Sequence, residues 1–131
     1  MSKRIVVCAD GTWNIAEQSS PTNVVKVARA IAPTGPDSKS QVVFYHPGVG
    51  THWGLDRLLG GAFGHGLDKN IEDAYRFLVY NYDKDDELFL FGFSRGAYTV
   101  RSLVGLLRNS GLLRKIHADK FVDAMRLYRD K

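Results

Sequence analysis

The hydrophobic and polar positions along the chain predict three strands alternating with helices. A first strand is predicted at 4–9, where the apolar run Ile5-Val6-Val7-Cys8-Ala9 stops at Asp10-Gly11, as in a strand buried on both faces. A second strand is predicted at 41–46, before Pro47-Gly48. A third is predicted at 87–91. A buried central sheet is therefore expected.

Helical periodicity follows each predicted strand. The first helix begins at Thr22 or Asn23, with Thr22 as N-cap, and ends before Pro33. The second covers 67–82, the third runs from just after Ser94 to about Asn109, and the last covers about 118–129. The glycine-rich segment 48–66 between the second strand and the second helix is predicted to be a loop, flexible or with short helical turns.

This order, βαβαβα, predicts an α/β fold with parallel strands and right-handed crossovers. A length of 131 residues fits a single domain, and 44% hydrophobic with 24% charged residues excludes a disordered chain. The formal charge of +4 is mild, and no nucleic-acid-binding signature accompanies it. The late basic residues predict either a solvated helix face or attraction to an anionic membrane surface: Arg108, Arg114, Lys115, Lys120, Arg126, Arg129 and Lys131.

The N-terminal region carries no signal for export or membrane insertion. Its apolar run, 5–9, is too short for a signal-peptide core or a membrane span. The chain is expected to be cytoplasmic as synthesised, with export that needs no cleaved signal left open. Cys8, the single cysteine, has no partner for an internal disulfide and is predicted to be a small buried hydrophobe.

The most informative motif is Gly92-Phe93-Ser94-Arg95-Gly96, between the third strand and the helix after it. A sharp strand–turn–helix at G-x-S-x-G exposes the serine hydroxyl at a helix N-terminus, where backbone N–H groups face developing negative charge. Gly92 and Gly96 lack Cβ atoms, so strand and helix can approach closely. We therefore predict Ser94 to be the nucleophile of a serine esterase or lipase, the alternative being a serine N-cap.

Two backbone donors are expected to stabilise the oxyanion. One is the N–H of Arg95, and the other is the N–H of Gly11 or Thr12, in the loop that follows the first strand at Asp10. This loop lies beside Ser94 if the first and third strands are neighbours. The alternative is that Asp10-Gly11 forms only a tight turn. No metal or other cofactor is predicted.

The acid and histidine of a triad follow the serine in this fold, and here they have no good candidates. His117 is the only histidine after Ser94, in the connection between the last two helices, and Asp119, Asp123 and Asp130 belong to the last amphipathic helix. A serine without a base is a weak nucleophile. Residues 1–131 are therefore interpreted as the N-terminal part of a single α/β-hydrolase domain, truncated before its acid and histidine, with the missing C-terminal part as its partner.

Several motifs occur in the order and spacing of one family. They are Asp10-Gly11-Thr12-Trp13-Asn14, Thr22-Asn23-Val24, Gly48-Val49-Gly50-Thr51, Gly66-Leu67, Ala74-Tyr75, Leu90 to Tyr98 and Gly111-Leu112-Leu113. Across nearly its whole length, the chain resembles the catalytic domain of the type VI secretion phospholipase effectors of the first lipase class. The resemblance implies a three-layer α/β-hydrolase fold, a Ser-Asp-His triad with Ser94 as nucleophile, and a lipid or small ester substrate.

Two other interpretations remain open. Asp10-Gly11-Thr12 after a hydrophobic strand resembles the haloacid-dehalogenase phosphatase signature, but Cys8 stands where that signature has its nucleophilic aspartate. Alternatively, the chain keeps the fold without the chemistry, as a catalytically incompetent fragment or interaction module. The apolar residues Trp53, Leu55, Leu58 and Phe63 are predicted either to pack within the 48–66 loop or to meet a lipid tail as part of a lid.

Overall fold

The computed structural model describes residues 1–11, 19–48 and 63–130, with side chains in the last range described from Asp68 onward. Its elements, in chain order, are β1 (Arg4–Ala9), α1 (Asn23–Ala30), β2 (Gln41–His46), α2 (Phe63–Asn81), β3 (Glu87–Gly92), α3 (Arg95–Ser110), a 3-10 helix (Lys115–Lys120) and α4 (Phe121–Arg129).

The three strands form one parallel sheet in the order β2-β1-β3. Arg4 pairs with Gln41 on one side and Glu87 on the other, and the register continues to Ala9, which pairs with His46 and Gly92. Because the strands are parallel and in register, their carboxyl ends meet at one edge of the sheet. The segments that follow Ala9, His46 and Gly92 are therefore neighbours.

Helices cover both faces of the sheet. Ile5 and Val7 of β1 are fully buried in the larger core, which α2, α3 and α4 complete with Tyr75, Leu103 and Met125. On the opposite face, the side chains of β1 pack with α1 in a smaller core built on Val6, Cys8 and Val24. The predicted α/β class, with parallel strands and a β1 buried on both faces, is confirmed.

The element bounds differ from the prediction at two helices. α2 begins at Phe63, four residues before the predicted start, so its first turn contains Gly64 and Gly66. Each interior glycine costs only about 1 kcal/mol, less than a long helix gains by burying side chains such as Ile71 and Leu78. The predicted last helix is two elements: a 3-10 helix, with His117 at φ −112°, and then α4. The rest of the predicted loop, at 49–62, lies outside the described residues.

The C-terminal elements fold back along α3. Gly111, at φ 71°, ends α3, and its N–H donates to Leu107 O. Ser110 Oγ then donates to Ala124 O at 2.8 Å, which ties α4 to α3. Within the described ranges, no helix is long and apolar enough to cross a membrane.

Candidate functional site

Ser94 lies at a sharp turn between β3 and α3. β3 ends at Gly92, α3 begins at Arg95, and Ser94 has φ 55° and ψ −119°. A serine rarely adopts this conformation, which costs about 1–3 kcal/mol and persists only where the surroundings impose it. The carbonyl oxygen of Ser94 accepts from the N–H groups of Ala97 and Tyr98 in the first turn of α3. Ser94 itself is exposed.

The hydroxyl of Ser94 makes no capping hydrogen bond to α3. Thr22 shows the contrast, because its Oγ1 accepts from Val25 N at 3.2 Å and caps α1, as predicted. Helix capping therefore does not explain the serine at position 94.

Two glycines make the turn sterically possible. A Cβ on Gly92 would lie 2.5 Å from Gly96 O, and a Cβ on Gly96 would lie 2.0 Å from Ala9 O and 2.7 Å from Asp10 O. Phe93 N also donates to Ala9 O at 3.1 Å. The first turn of α3 thus packs directly on the backbone at the end of β1.

Asp10 organises the loop that follows β1. It is only 1% exposed and accepts three hydrogen bonds. Oδ2 accepts from Thr22 Oγ1 at 2.6 Å and from Tyr45 Oη at 2.9 Å, and Oδ1 accepts from Gly11 N at 2.9 Å. The carboxyl group therefore joins β1, the start of α1 and the end of β2.

The segment after β2 packs against the same loop. Gly48 has φ 88°, and a Cβ there would lie 1.9 Å from Gly11 O. His46 Nδ1 accepts from Gly48 N at 3.1 Å, and Asp10 N donates to His46 O at 2.9 Å. The backbone at the end of β1 is therefore approached closely from two sides, by Gly48 after β2 and by Gly96 in the first turn of α3.

The predicted oxyanion donors are only partly placed. Arg95 directly follows Ser94 as the first residue of α3, and the loop at Gly11 lies next to the turn because β1 and β3 are neighbours. The N–H of Gly11 donates to Asp10 Oδ1, so its amide already has an acceptor. Thr12 lies outside the described residues. The oxyanion assignment stays a prediction.

Neither histidine with a described side chain reaches Ser94. His117 is exposed and follows the far end of α3, a helix of 16 residues and about 24 Å. His46 lies two strands from Gly92 in the sheet, about 10 Å away, and its imidazole faces α2. Asp119, Asp123 and Asp130 are exposed, as a solvated helix face requires. The side chains of His52 and His65 lie outside the described residues.

Cys8 is fully buried, as predicted. Burial raises the pKa of its thiol to about 11, with a smaller contribution from Asp10. A protonated thiol in the core is not a nucleophile. Among the described residues, no group of three or more His, Cys, Asp or Glu side chains is arranged to hold a metal ion.

The sequence interpretation missed the roles of Tyr45, His46 and Thr22 around Asp10. Both β2 residues stand at the carboxyl end of their strand, which is a usable signal once the sheet order is known. Alternation along β2 sends Tyr45 to the α1 face and His46 to the α2 face.

The strained backbone at Ser94 predicts a stability effect that does not depend on activity. Ser94→Gly is expected to raise the free energy of unfolding by about 1–2 kcal/mol, because glycine adopts positive φ without penalty. Ser94→Ala keeps the Cβ and should leave stability within about 0.5 kcal/mol of the wild type, since the hydroxyl caps nothing. Urea unfolding of both variants measures this. Equal stabilities would contradict the strain.

Fold and turn together define a parallel α/β domain with an exposed serine at a strand–helix junction. A family model described as "T6SS, Phospholipase effector Tle1-like, catalytic domain" matches residues 3–131. The chain belongs to this family of phospholipase effector catalytic domains, as its resemblance predicted.

A curated relative is the uncharacterized protein YEL023C of Saccharomyces cerevisiae. It is 34% identical over 127 residues, covering 86% of this chain and 18% of the yeast protein. The chain thus spans about a fifth of the length of this relative. No solved structure matches the chain.

Proposed function

We propose that this chain supplies the nucleophile of a serine hydrolase that cleaves carboxylic esters, with phospholipids as the substrate class. The observation that carries the proposal is the exposed Ser94 at φ 55°, on a strand–helix turn with no capping bond. Membership in a family of phospholipase effector catalytic domains supports the lipid substrate.

In the proposed reaction, Ser94 Oγ attacks the ester carbonyl carbon and gives its proton to a base. The tetrahedral oxyanion accepts from Arg95 N–H, near the N-terminus of α3, and from Thr12 N–H, since Gly11 N–H already donates to Asp10 Oδ1. Collapse breaks the ester bond, the alcohol leaves with the proton, and an acyl-serine remains. Water, deprotonated by the same base, then attacks the acyl carbon and releases the carboxylic acid and Ser94.

The base and its acid are proposed to come from a missing C-terminal part of the domain. Right-handed crossovers fix where its first strand would pair. α2 covers the larger core as the chain passes from β2 across β1 to β3, and α3 packs on that same face. A strand following α3 with the same handedness would therefore lie beyond β3.

The outer edge of β3 suits such a strand. No other strand pairs with this edge among the described residues. On the α1 side, Phe89 and Phe91 of β3 are about 40% exposed (42% and 40%), and a groove beside them is lined by Val27 and Ile31. A parallel strand here would end at the same edge of the sheet as Ser94, where triad residues are needed.

The substrate surface is a separate part of the proposal. An anionic membrane surface would attract exposed basic residues such as Arg108, Arg114 and Lys115, but these lie at the end of α3 opposite Ser94, so they do not by themselves bring a lipid ester to the hydroxyl. Two later arginines are already engaged in ion pairs: Arg126 with Asp123 at 3.5 Å, and Arg129 with Glu72 at 3.3 Å. Trp53, Leu55 and Leu58, predicted to form a loop or lid, lie outside the described residues, and the side chain of Phe63 is not described.

A fluorophosphonate probe, which modifies activated serines, tests the proposal. The 131-residue chain alone should label weakly or not at all, because no base among the described side chains reaches Ser94. The chain extended by the proposed remainder of its domain should label strongly, and Ser94→Ala should abolish labelling at a preserved fold. Labelled Ser94 should appear in the tryptic peptide by mass spectrometry.

A matched control is Ser102→Ala, at a serine within α3. It should label like the parent protein. Extended protein that folds but leaves Ser94 unlabelled would contradict the proposal and favour the second candidate, a fragment or interaction module of the same fold, which the absence of a nearby described base supports. Fast ester hydrolysis by the chain alone would contradict the proposal that the base comes from outside these 131 residues.

A further inference from the structure

His46 is a histidine for which the proposed reaction has no use, and it stands at the edge of the sheet that carries Ser94. Its side chain is 19% exposed. Its ring lies 6.3 Å from that of Phe44, centroid to centroid. Nδ1 accepts from Gly48 N at 3.1 Å. A ring nitrogen that accepts carries no proton, so the neutral imidazole holds its proton on Nε2.

The bond to Gly48 closes a ring of contacts around the loop after β1. Gly48 packs on Gly11 O, Gly11 N donates to Asp10 Oδ1, and Asp10 N donates back to His46 O. No Cβ fits between Gly48 and Gly11, so the segment 47–48 lies in direct backbone contact with the loop at 10–11.

We propose that His46 is a positioning residue, whose neutral imidazole fixes Gly48 against Gly11 and thereby holds the loop after β1 in place. The link to catalysis rests on the proposed function, in which this loop provides an oxyanion donor. A protonated imidazole donates from both nitrogens and cannot accept from Gly48 N. Protonation therefore removes one of the bonds that close the ring.

The charged groups around His46 are few in the described residues. Burial lowers the pKa of His46; Asp73, whose Oδ2 lies 3.9 Å from Nε2, opposes this, and Lys69 adds to it. Both are on α2. On the side of β1, the nearest charged group is Asp10, directly after the strand. Its carboxyl oxygens accept hydrogen bonds from Thr22, Tyr45 and Gly11.

The direction of the pKa shift sets the pH window. As the pH falls, the folded protein keeps His46 neutral to a lower pH than the unfolded chain, in which histidine titrates at about pH 6.5. The contribution to stability is therefore complete above about pH 6.5 and declines as the pH falls from there towards the lower pKa of the folded state.

Two substitutions separate the hydrogen bond from the ring. His46→Asn places a carbonyl oxygen near the position of Nδ1 and does not titrate. His46→Phe keeps a ring beside Phe44 but has no acceptor. Amide exchange of the 15N-labelled chain, corrected for the intrinsic pH dependence, reports the bond at Gly48 directly.

In the wild type, the protection of the Gly48 amide should fall about fivefold as the pH drops, the size of one net hydrogen bond. The midpoint should match the NMR titration of the His46 ring. The asparagine variant should show no step, and the phenylalanine variant should be unprotected at every pH. The proposal would be overturned if the protection of the Gly48 amide in the wild type did not change with pH. It would also be overturned if the phenylalanine variant protected this amide as well as the wild type does.

The link to catalysis has its own readout. In the extended protein, the labelling rate of the wild type is divided by that of His46→Asn at each pH. This ratio should be about fivefold lower below the titration midpoint of His46 than above it. A constant ratio overturns that link. Absence of Ser94 labelling at every pH would contradict the proposed function instead. The pH dependence of Gly48 amide protection would still decide the role of His46.

Discussion

Gly96→Ala is expected to destabilise the protein by about 3 kcal/mol or more, the upper range for overpacking. The added Cβ would lie 2.0 Å from Ala9 O, 2.4 Å from Ala9 C and 2.7 Å from Asp10 O. These are backbone atoms of Ala9, the last residue of the central strand and paired on both sides, and of Asp10 directly after it, so they cannot move aside as a flexible side chain does. α3 must instead shift away from β1, which opens the turn at Ser94.

Thermal unfolding followed by circular dichroism measures the loss, which should be about 10 °C or more in Tm. Gly105→Ala is the matched control, because it makes the same substitution on the same helix. Its Cβ would meet only Tyr128 Cε2, at 3.5 Å, an ordinary contact. It should gain up to about 1 kcal/mol from helix propensity. Equal effects of the two substitutions would show that helix propensity, and not the close approach to β1, determines the result.

The strands of this fold were predictable because their signal is local and strong. β1 is apolar at every position from Ile5 to Ala9, and both its bounds and its burial agree with the prediction. Helix bounds were less predictable where glycine is involved. Gly64 and Gly66 suggest a loop by composition, yet the helix that buries Tyr75 and Leu78 extends through them.

The candidate site divides in the same way. The turn at Ser94 and the need for Gly92 and Gly96 follow from one short motif, because strand, serine and helix are adjacent in sequence. The surroundings of Asp10 do not. Thr22 is 12 residues away and Tyr45 is 35 residues away, so their bonds to Asp10 depend on sheet order and register. Sequence pattern predicts a strand more readily than its neighbours.

Asp10→Ala is the second substitution with a large expected effect, about 3 kcal/mol or more. It removes the acceptor of the buried N–H of Gly11 and of the half-buried hydroxyls of Thr22 and Tyr45. Each buried polar group left unsatisfied costs about 1–3 kcal/mol. Urea unfolding measures the total, and a loss below about 1 kcal/mol would contradict the network.

Milder substitutions assign the loss to particular bonds. Asp10→Asn keeps the shape and one oxygen acceptor, and the two hydroxyls can rotate to accept from its amide, so about 1–2 kcal/mol is expected. Tyr45→Phe removes one donor and should cost about 1 kcal/mol in the wild type. In the Asp10→Ala background the same change should cost less, because the bond between these two side chains is already absent. Additive losses would mean that Tyr45 stabilises the protein independently of Asp10, and that the carboxyl group does not join β2 to the loop beside Ser94.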